Sequence, residues 1–92
     1  MNVVCIPAYN EEVKIKDVVK KSLPHVDKVI VCDDGSTDNT AALAKKAGAI
    51  VISHETNLGY GAAISALFDY CRKNNAEIMV TLDGDGQHNP DQ

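Results

Sequence analysis

Short apolar runs alternate with longer amphipathic segments along the chain. The runs are rich in Val and Ile, as is typical of strands buried on both faces, and they occupy residues 3–6, 28–32, 49–53 and 77–82. The segments between them carry apolar side chains at helical spacing, over residues 11–23, 40–47 and 59–73. Strands that alternate with helices require crossover connections. The pattern therefore predicts an α/β fold, a Rossmann-like parallel sheet with helices on both faces.

Polar clusters follow the predicted strands at the point where each strand ends. They occupy residues 7–11, 33–36, 54–57 and 83–87. The carboxyl ends of parallel strands open on one edge of the sheet, and ligands bind at that edge where the strand order reverses. We therefore expect the four clusters to contribute to one site.

The last cluster has the composition of a metal site. Asp83, Asp85 and Gln87 stand at alternate positions, so in an extended segment they point the same way with Cα atoms ~6.6 Å apart. Gly84 and Gly86 permit the slight bend that lets the three side chains converge. Such oxygen ligands suit a hard divalent cation, Mg²⁺ or Mn²⁺. The alternative is that this Asp-Gly repeat is only a turn after a strand.

The first cluster holds candidate contacts to a nucleoside. Tyr9 is one of few aromatic residues in the chain, and its face can stack on a nucleobase or pack over the sheet edge. Glu11 can accept hydrogen bonds from ribose hydroxyls. Glu12 is explained by the favourable effect of a carboxylate in a first helical turn, and Asn10 can cap that turn.

Asp33 and Asp34 are adjacent carboxylates at the end of the second predicted strand. A carboxylate accepts hydrogen bonds, so at a base edge it suits the imino N–H of uracil or guanine and is repelled by the acceptor N3 of cytosine. The alternative is local, because an Asp-Gly-Ser sequence begins a turn and Ser36 or Thr37 can cap the next helix. We expect one aspartate to serve each role.

A glycine-containing stretch, residues 57–61, precedes the third predicted helix and superficially resembles a phosphate-binding loop. It lacks the third glycine and the lysine of the known patterns and does not follow the first strand. Gly59 and Gly61 are better explained by a close approach of the helix N-terminus to the sheet edge.

The composition, with 45% hydrophobic and 24% charged residues among 92, is that of one ordinary globular domain. The net charge of −4 argues against a nucleic-acid partner. Cys5, Cys32 and Cys71 are odd in number and lie in apolar or amphipathic segments, so we expect buried free thiols in a reducing compartment. We find no signal peptide and no apolar run near the ~20 residues of a membrane span.

Three motifs together resemble the N-terminal half of family 2 glycosyltransferases with the GT-A fold, at residues 6–12, 33–38 and 83–88. The similarity is greatest to dolichyl-phosphate mannose and polyprenyl-phosphate glucose synthases, in which Gln-His follows the Asp-x-Asp motif. The resemblance implies nucleotide contacts from Pro7, Ala8, Tyr9, Glu11, Asp33, Asp34, Asp83 and Gly84. It also implies that Asp83, Asp85 and Gln87 hold a metal ion that bridges the diphosphate. No residue stands out as a catalytic base.

The expected function is therefore a metal-dependent inverting glycosyltransferase that moves a hexose from a UDP- or GDP-sugar to an acceptor, a polyprenyl or dolichyl phosphate in the resembled subgroup. Residues 1–92 would form its nucleotide-sugar-binding part, without the acceptor-binding half and inactive alone. We expect it in the cytoplasm or at the cytoplasmic face of a membrane, with membrane association only through the acceptor or the missing C-terminal part. The resembled fold places the fourth predicted strand, residues 77–82, beside the first, and we expect self-association through this exposed edge strand. The alternatives are a phospho-receiver-like, Mg²⁺-binding signalling module and an inactive nucleotide-binding fragment.

Overall fold

The computed structural model describes residues 2–76 and 78–81. Strands and helices alternate through this part of the chain, in the order β1 (Asn2–Ala8), α1 (Ile15–Ser22), a 3₁₀ helix (Leu23–His25), β2 (Lys28–Asp34), α2 (Thr40–Ala47), β3 (Ile50–His54), α3 (Tyr60–Lys73) and β4 (Ile78–Thr81). The predicted alternation of strands and helices is confirmed.

The strands form one parallel sheet in the order β3-β2-β1-β4. The chain moves from β1 through β2 to β3 and then crosses back, so that β4 lies on the other side of β1. The strand order therefore reverses at β1, which is where a ligand crevice forms in sheets of this kind. Within the described residues, no strand pairs with the outer side of β4. Its position beside the first strand is as expected, whereas self-association through this edge stays a prediction.

Helices cover both faces of the sheet, as predicted. Successive residues of β1 and β2 enter opposite cores because side chains alternate along a strand. One core lies beneath α1 and α2 and includes Val4, Ile6, Val29, Val31, Ile15, Val19 and Ala44. The other lies beneath α3 and includes Val3, Cys5, Ile30, Cys32, Ala63, Leu67 and Cys71. The two cores anchor β1 and β2 from both sides, so the ends of these strands are fixed in position.

β1 and β2 are longer than the apolar runs predicted. β1 includes Pro7 and Ala8, and β2 includes Asp33 and Asp34, all of them buried. Pairing between the two strands continues to the register pair Ala8 and Asp33. Four of the candidate site residues therefore lie on strands, where the sheet holds their backbone, and not in loops.

α1 begins at Ile15, four residues later than predicted. Asn10 has a left-handed φ of 52°, and residues 12–14 form a turn. The backbone N–H groups of Glu11 and Glu12 donate to the side chains of Thr40, the first residue of α2, and Asp38, in the loop after β2. The Glu11 carbonyl accepts from the N–H groups of Lys14 and Ile15, so this segment connects the start of α1 to the start of α2. Val13, predicted on the buried face of the helix, is instead 86% exposed.

Candidate functional site

Three of the polar clusters meet at the carboxyl edge of the sheet. In the register of the sheet, Ala8 lies level with Asp33, and Asp34 lies level with His54. The predicted nucleotide contacts of the first two motifs therefore share one edge: Pro7, Ala8, Tyr9, Glu11, Asp33 and Asp34. β4 runs toward the same edge as far as Thr81. The predicted metal ligands Asp83, Asp85 and Gln87, and the predicted contact Gly84, lie outside the described residues.

The loops after β1 and β2 are joined by hydrogen bonds at Asn10. The Asn10 N–H donates to Ser36 Oγ over 2.8 Å, and the Thr37 N–H donates to Asn10 Oδ1 over 2.9 Å. The expectation that Asn10 caps the first helix is wrong, because the residue preceding α1 is Lys14 and no side chain caps it. The left-handed backbone of Asn10 turns its side chain toward the second loop, a conformation that asparagine tolerates better than most residues.

A second set of hydrogen bonds connects the same two loops at the start of α2. The Glu11 N–H donates to Thr40 Oγ1 over 2.8 Å, and the Glu12 N–H donates to Asp38 Oδ2 over 3.3 Å. In return, the Asn39 N–H donates to Glu12 Oε2 over 3.1 Å. Glu12 therefore lies at the N-terminus of α2, not in the first turn of α1 as predicted. The favourable interaction of a carboxylate with a helix N-terminus still applies, but to the other helix.

The side chain that accepts hydrogen bonds at the start of α2 is that of Asp38, not Ser36 or Thr37 as predicted. Its Oδ1 accepts hydrogen bonds from the Thr40 N–H, over 3.0 Å, and from the Thr40 hydroxyl. Desolvation raises the pKa of the Asp38 carboxyl, but the hydrogen bonds from Thr40 and from the Glu12 N–H outweigh it and hold the pKa below its ordinary value. This carboxylate is therefore charged at neutral pH, although the sequence motif alone did not assign it a role.

Asp34 is only 4% exposed, and hydrogen bonds engage both of its oxygens. Oδ1 accepts from His54 Nδ1 and the Leu58 N–H, and Oδ2 accepts from the Gly59 N–H, each over 2.9 Å. Desolvation raises the pKa of Asp34, but these donors outweigh it and the pKa is lowered. The carboxylate thus sits just ahead of α3, where an anion is favoured. The Leu58 and Gly59 N–H groups that could bind a phosphate therefore already donate to Asp34, so the stretch at 57–61 is a poor phosphate-binding candidate.

His54 is a site residue that the sequence did not assign. Its Nδ1 bonds Asp34, which as a carboxylate only accepts, so Nδ1 carries the proton. Its Nε2 lies 3.9 Å from the Sγ of Cys32. Burial, and then the nearby charges of Asp34 and Asp33, raise the pKa of the Cys32 thiol to about 11, so the thiol keeps its proton and can donate it toward Nε2. One signal for this contact was present, since the polar clusters that contain Asp34 and His54 follow consecutive predicted strands and were expected at one edge of the sheet.

Gly35 lets the loops after β2 and β3 approach closely. Its φ is +76°, and a Cβ built there would lie 2.3 Å from the backbone carbon of Thr56 and 2.4 Å from the backbone nitrogen of Asn57. No side chain fits this space. Together with the Asp34 contacts, this approach ties all three described loops of the sheet edge into one unit.

Asp33 differs from Asp34 in its hydrogen bonding. It is 6% exposed, and its Oδ1 accepts from the Ser36 N–H over 3.2 Å, the bond of a local turn. Its Oδ2 has no hydrogen-bond partner within the described part of the chain. Asp33 therefore combines the turn role with a spare acceptor atom, beside the end of β1.

The other predicted nucleotide contacts differ in exposure. Pro7 and Ala8 are buried in β1, Glu11 is partly buried, and Tyr9 is 44% exposed. The Tyr9 side chain is therefore available at the edge and is not fully packed over it.

The three cysteines are buried and free, as predicted. Cys5 Sγ lies 3.4 Å from Cys71 Sγ, and burial together with this neighbour raises the pKa of the Cys5 thiol to about 12. The described residues contain no group of three or more His, Cys, Asp and Glu that could hold a metal ion. None of the described helices is long and apolar enough to cross a membrane.

Comparison with known proteins identifies the family. The model for glycosyl transferase family 2 matches residues 3–92. The chain is 39% identical to a UDP-N-acetylglucosamine–dolichyl-phosphate N-acetylglucosaminyltransferase from Methanococcus voltae, covering 94% of this chain and 41% of that protein. It is 35% identical to a polyprenol monophosphomannose synthase from Mycolicibacterium smegmatis, covering 97% of this chain and 37% of that protein.

The fold is also similar to a solved structure. Glucosyl-3-phosphoglycerate synthase from Mycobacterium tuberculosis, in complex with Mn²⁺, UDP and glucosyl-3-phosphoglycerate, superposes with a TM-score of 0.75 at 34% identity, over 91% of this chain and 33% of that one. The chain spans between 29% and 41% of the length of the first curated relatives it matches. Since the family model matches nearly the whole chain, this protein belongs to glycosyl transferase family 2.

Proposed function

We propose that this chain is the nucleotide-sugar-binding part of a metal-dependent, inverting glycosyltransferase. The whole enzyme transfers a hexose from a UDP- or GDP-sugar to a polyprenyl phosphate, and the acceptor-binding residues lie outside residues 1–92. Family membership and two relatives named for dolichyl-phosphate and polyprenol substrates support this proposal. The position of the acidic pair argues against a phospho-receiver. In a receiver the pair follows the first strand, whereas here Asp33 and Asp34 end β2.

The observation that carries the proposal is the difference between the two adjacent carboxylates at the end of β2. Asp34 is saturated by His54, Leu58 and Gly59, so we assign it the role of holding the loop after β3. Asp33 keeps one oxygen without a partner among the described residues. We therefore assign Asp33 the recognition of the imino N–H of uracil or guanine.

The residues around Asp33 suit the rest of a nucleoside. The partly exposed ring of Tyr9 offers a stacking surface for the base. Pro7 and Ala8, at the end of β1, form a floor of buried backbone, and Glu11 accepts from the ribose hydroxyls. The hydrogen bonds between the first two loops fix the relative positions of these groups before the ligand binds, which reduces the entropy lost on binding.

The metal belongs to the third motif. Asp83, Asp85 and Gln87 supply two carboxylates and one amide oxygen, a donor set that fits Mg²⁺ or Mn²⁺, and Gly84 leaves room beside them. When bound, the cation supplies positive charge that neutralises the diphosphate leaving group. Without the cation, the carboxylates of Asp33 and Asp34 at the sheet edge, and those of the third motif, would repel that diphosphate. A polyprenyl phosphate oxygen is already anionic, so this chain need not supply a strong base.

Calorimetric titration of UDP, GDP and CDP, with Mn²⁺ and then with chelator, tests the proposal. We expect UDP or GDP to bind roughly 5- to 150-fold more tightly than CDP, the range for a buried polar group left unpaired, and only with the metal. Asp33→Asn should lose this preference, because its amide can also donate to N3 of cytosine. Asp85→Asn should weaken metal-dependent binding about 10-fold or more, and Asp69→Asn on the exposed face of α3 serves as the matched control.

Two results would contradict the proposal. If UDP and GDP each bind as tightly in chelator as in Mn²⁺, the metal assignment is wrong. If CDP binds more tightly than UDP and GDP, the role assigned to Asp33 is wrong. A stable phosphoryl group on the chain after incubation with acetyl phosphate and Mg²⁺ would support the receiver alternative instead.

A further inference from the structure

The lysines of this acidic chain are concentrated on one face. The helices α1 and α2 pack against each other and cover the same side of the sheet. We call the exposed lysines of this layer the lysine face: Lys14, Lys16, Lys20, Lys21, Lys45 and Lys46. They are six of the nine Lys and Arg residues in a chain whose net charge is −4, so the charge of the molecule is strongly asymmetric.

The charges of the lysine face are not neutralised by neighbouring acids. Among the described residues, the Arg72 guanidinium pairs with Asp69, and His54 contacts Asp34; neither contact involves this face. α2 contains no acidic residue, and α1 contains only Asp17. The nearby carboxylates of Glu12 and Asp38 accept backbone hydrogen bonds at the start of α2, which does not remove their charge, but together with Asp17 they are outnumbered by the six lysines. The lysine face therefore carries a net positive charge that is available to a partner.

An exposed apolar side chain lies at one end of this face. Val13, in the turn that leads into α1, is 86% exposed and directly precedes Lys14. Lysines beside an exposed apolar residue are a combination that favours adsorption at the boundary between lipid headgroups and acyl chains.

We propose that the lysine face binds the surface of an anionic lipid bilayer. Helices that lie flat on a sheet present their exposed sides together, so α1 and α2 can contact a planar surface at the same time. Docking in this way lays the sheet along the membrane and leaves its carboxyl edge open at the side, close to the lipid headgroups. The inference goes beyond the proposed function and does not depend on it, because lipid binding is measured without any nucleotide.

The opposite face of the molecule offers a matched control. The basic residues of α3 are Arg72, which pairs with Asp69, and Lys73. The double variant R72E/K73E changes the net charge by the same amount as K16E/K20E on α1 or K45E/K46E on α2. If only total charge mattered, all three variants would behave alike.

Co-sedimentation of the 92-residue chain with vesicles tests the proposal. The unsubstituted chain should bind vesicles of equal parts phosphatidylcholine and phosphatidylglycerol, more weakly as salt is added, and should not bind vesicles of phosphatidylcholine alone. Each lysine near an anionic surface raises the binding affinity about fivefold. K16E/K20E and K45E/K46E each remove two lysines, so each should weaken binding by at least about 25-fold. R72E/K73E should change it by less than about threefold.

Several results would overturn the proposal. It fails if the unsubstituted chain does not bind the anionic vesicles, if R72E/K73E weakens binding as much as the other pairs, or if an RNA duplex binds the lysine face while vesicles do not. Circular dichroism and thermal unfolding of every variant show whether it is folded. The two independent pairs on α1 and α2 keep the test decisive if one of them fails to fold.

Discussion

Gly35 is the described glycine whose replacement the structure tolerates least, because its left-handed backbone and its contact with the loop after β3 both exclude a side chain. A Cβ at this position would lie 2.3 Å from the Thr56 carbonyl carbon. We expect Gly35→Ala to lower the free energy of unfolding by roughly 2–4 kcal/mol, the scale of a strained conformation together with displaced backbone. Urea unfolding measures this change.

Gly61 provides the control for that substitution. It lies in the first turn of α3, where an added Cβ meets nothing within 4 Å. Gly61→Ala should therefore stabilise the chain by up to about 0.5–1 kcal/mol, since alanine favours the helix. If Gly35→Ala and Gly61→Ala lower the free energy of unfolding equally, the close approach at Gly35 is not what excludes a side chain there.

Asp34 makes a second prediction at the residue scale, for the pH dependence of stability. The pKa of its carboxyl is lowered by folding from a value of 3.8, and the pKa of Asp38 is lowered as well. Groups of this kind stabilise the fold fully above their unfolded pKa, and the contribution is lost as the pH falls through the folded pKa. Stability should therefore be nearly constant above about pH 5 and should decline below about pH 4.

The variant Asp34→Asn isolates the contribution of this carboxyl. Its amide cannot accept from three donors as the carboxylate does, so the variant should be less stable at neutral pH and should lose less on acidification. Asp69→Asn, at an exposed ion pair, should leave the profile nearly unchanged. An acid decline of the same size in Asp34→Asn as in the unsubstituted chain would be evidence against the role of Asp34.

At the scale of elements, the loops after β1 and β2 behave as one unit through the hydroxyl of Thr40. This buried residue accepts the Glu11 N–H and donates to Asp38. Thr40→Val keeps the shape but leaves the Glu11 N–H without an acceptor, which should cost about 1–3 kcal/mol. Hydrogen exchange should accelerate at the Glu11 amide, in the other loop, whereas Thr40→Ser should preserve its protection. Unchanged exchange at Glu11 in Thr40→Val would argue that the loops are independent.

The sequence predicted the elements better than it predicted their connections. Apolar runs located all four strands, and the rule for parallel sheets placed Asp33, Asp34 and Tyr9 at one edge. The start of α1 and the partners of Asn10, Glu12 and Asp38 were not predictable from local patterns, because each is set by hydrogen bonds to residues 26 or 27 positions away. Such contacts follow from the register of the sheet. The contact of Asp34 with His54 could have been predicted, since the two residues end neighbouring strands of the sheet.

At the scale of the whole molecule, we expect the outer edge of β4 to determine how the chain behaves in solution. β4 pairs with β1 on one side only, within the described residues, and its sequence Ile-Met-Val-Thr is largely apolar. Exposed apolar edge strands pair with other chains. We expect the chain to self-associate as its concentration rises, or to need further protein at this edge. Sedimentation equilibrium tests this, and a monomer that persists at high concentration with cooperative unfolding would contradict it.

The strand order also has a consequence for folding during synthesis. β1 pairs with β2 through residues 25 positions apart, such as Val3 with Lys28, but with β4 through residues 76 apart, such as Val3 with Met79. The ribosome therefore releases β1, β2 and β3 well before β4, and these three strands can assemble first. During that interval the β4-facing edge of β1, one of the two inner strands of the four-stranded sheet, has no partner. The nascent chain is then exposed to wrong pairing at a strand that is later enclosed between β2 and β4.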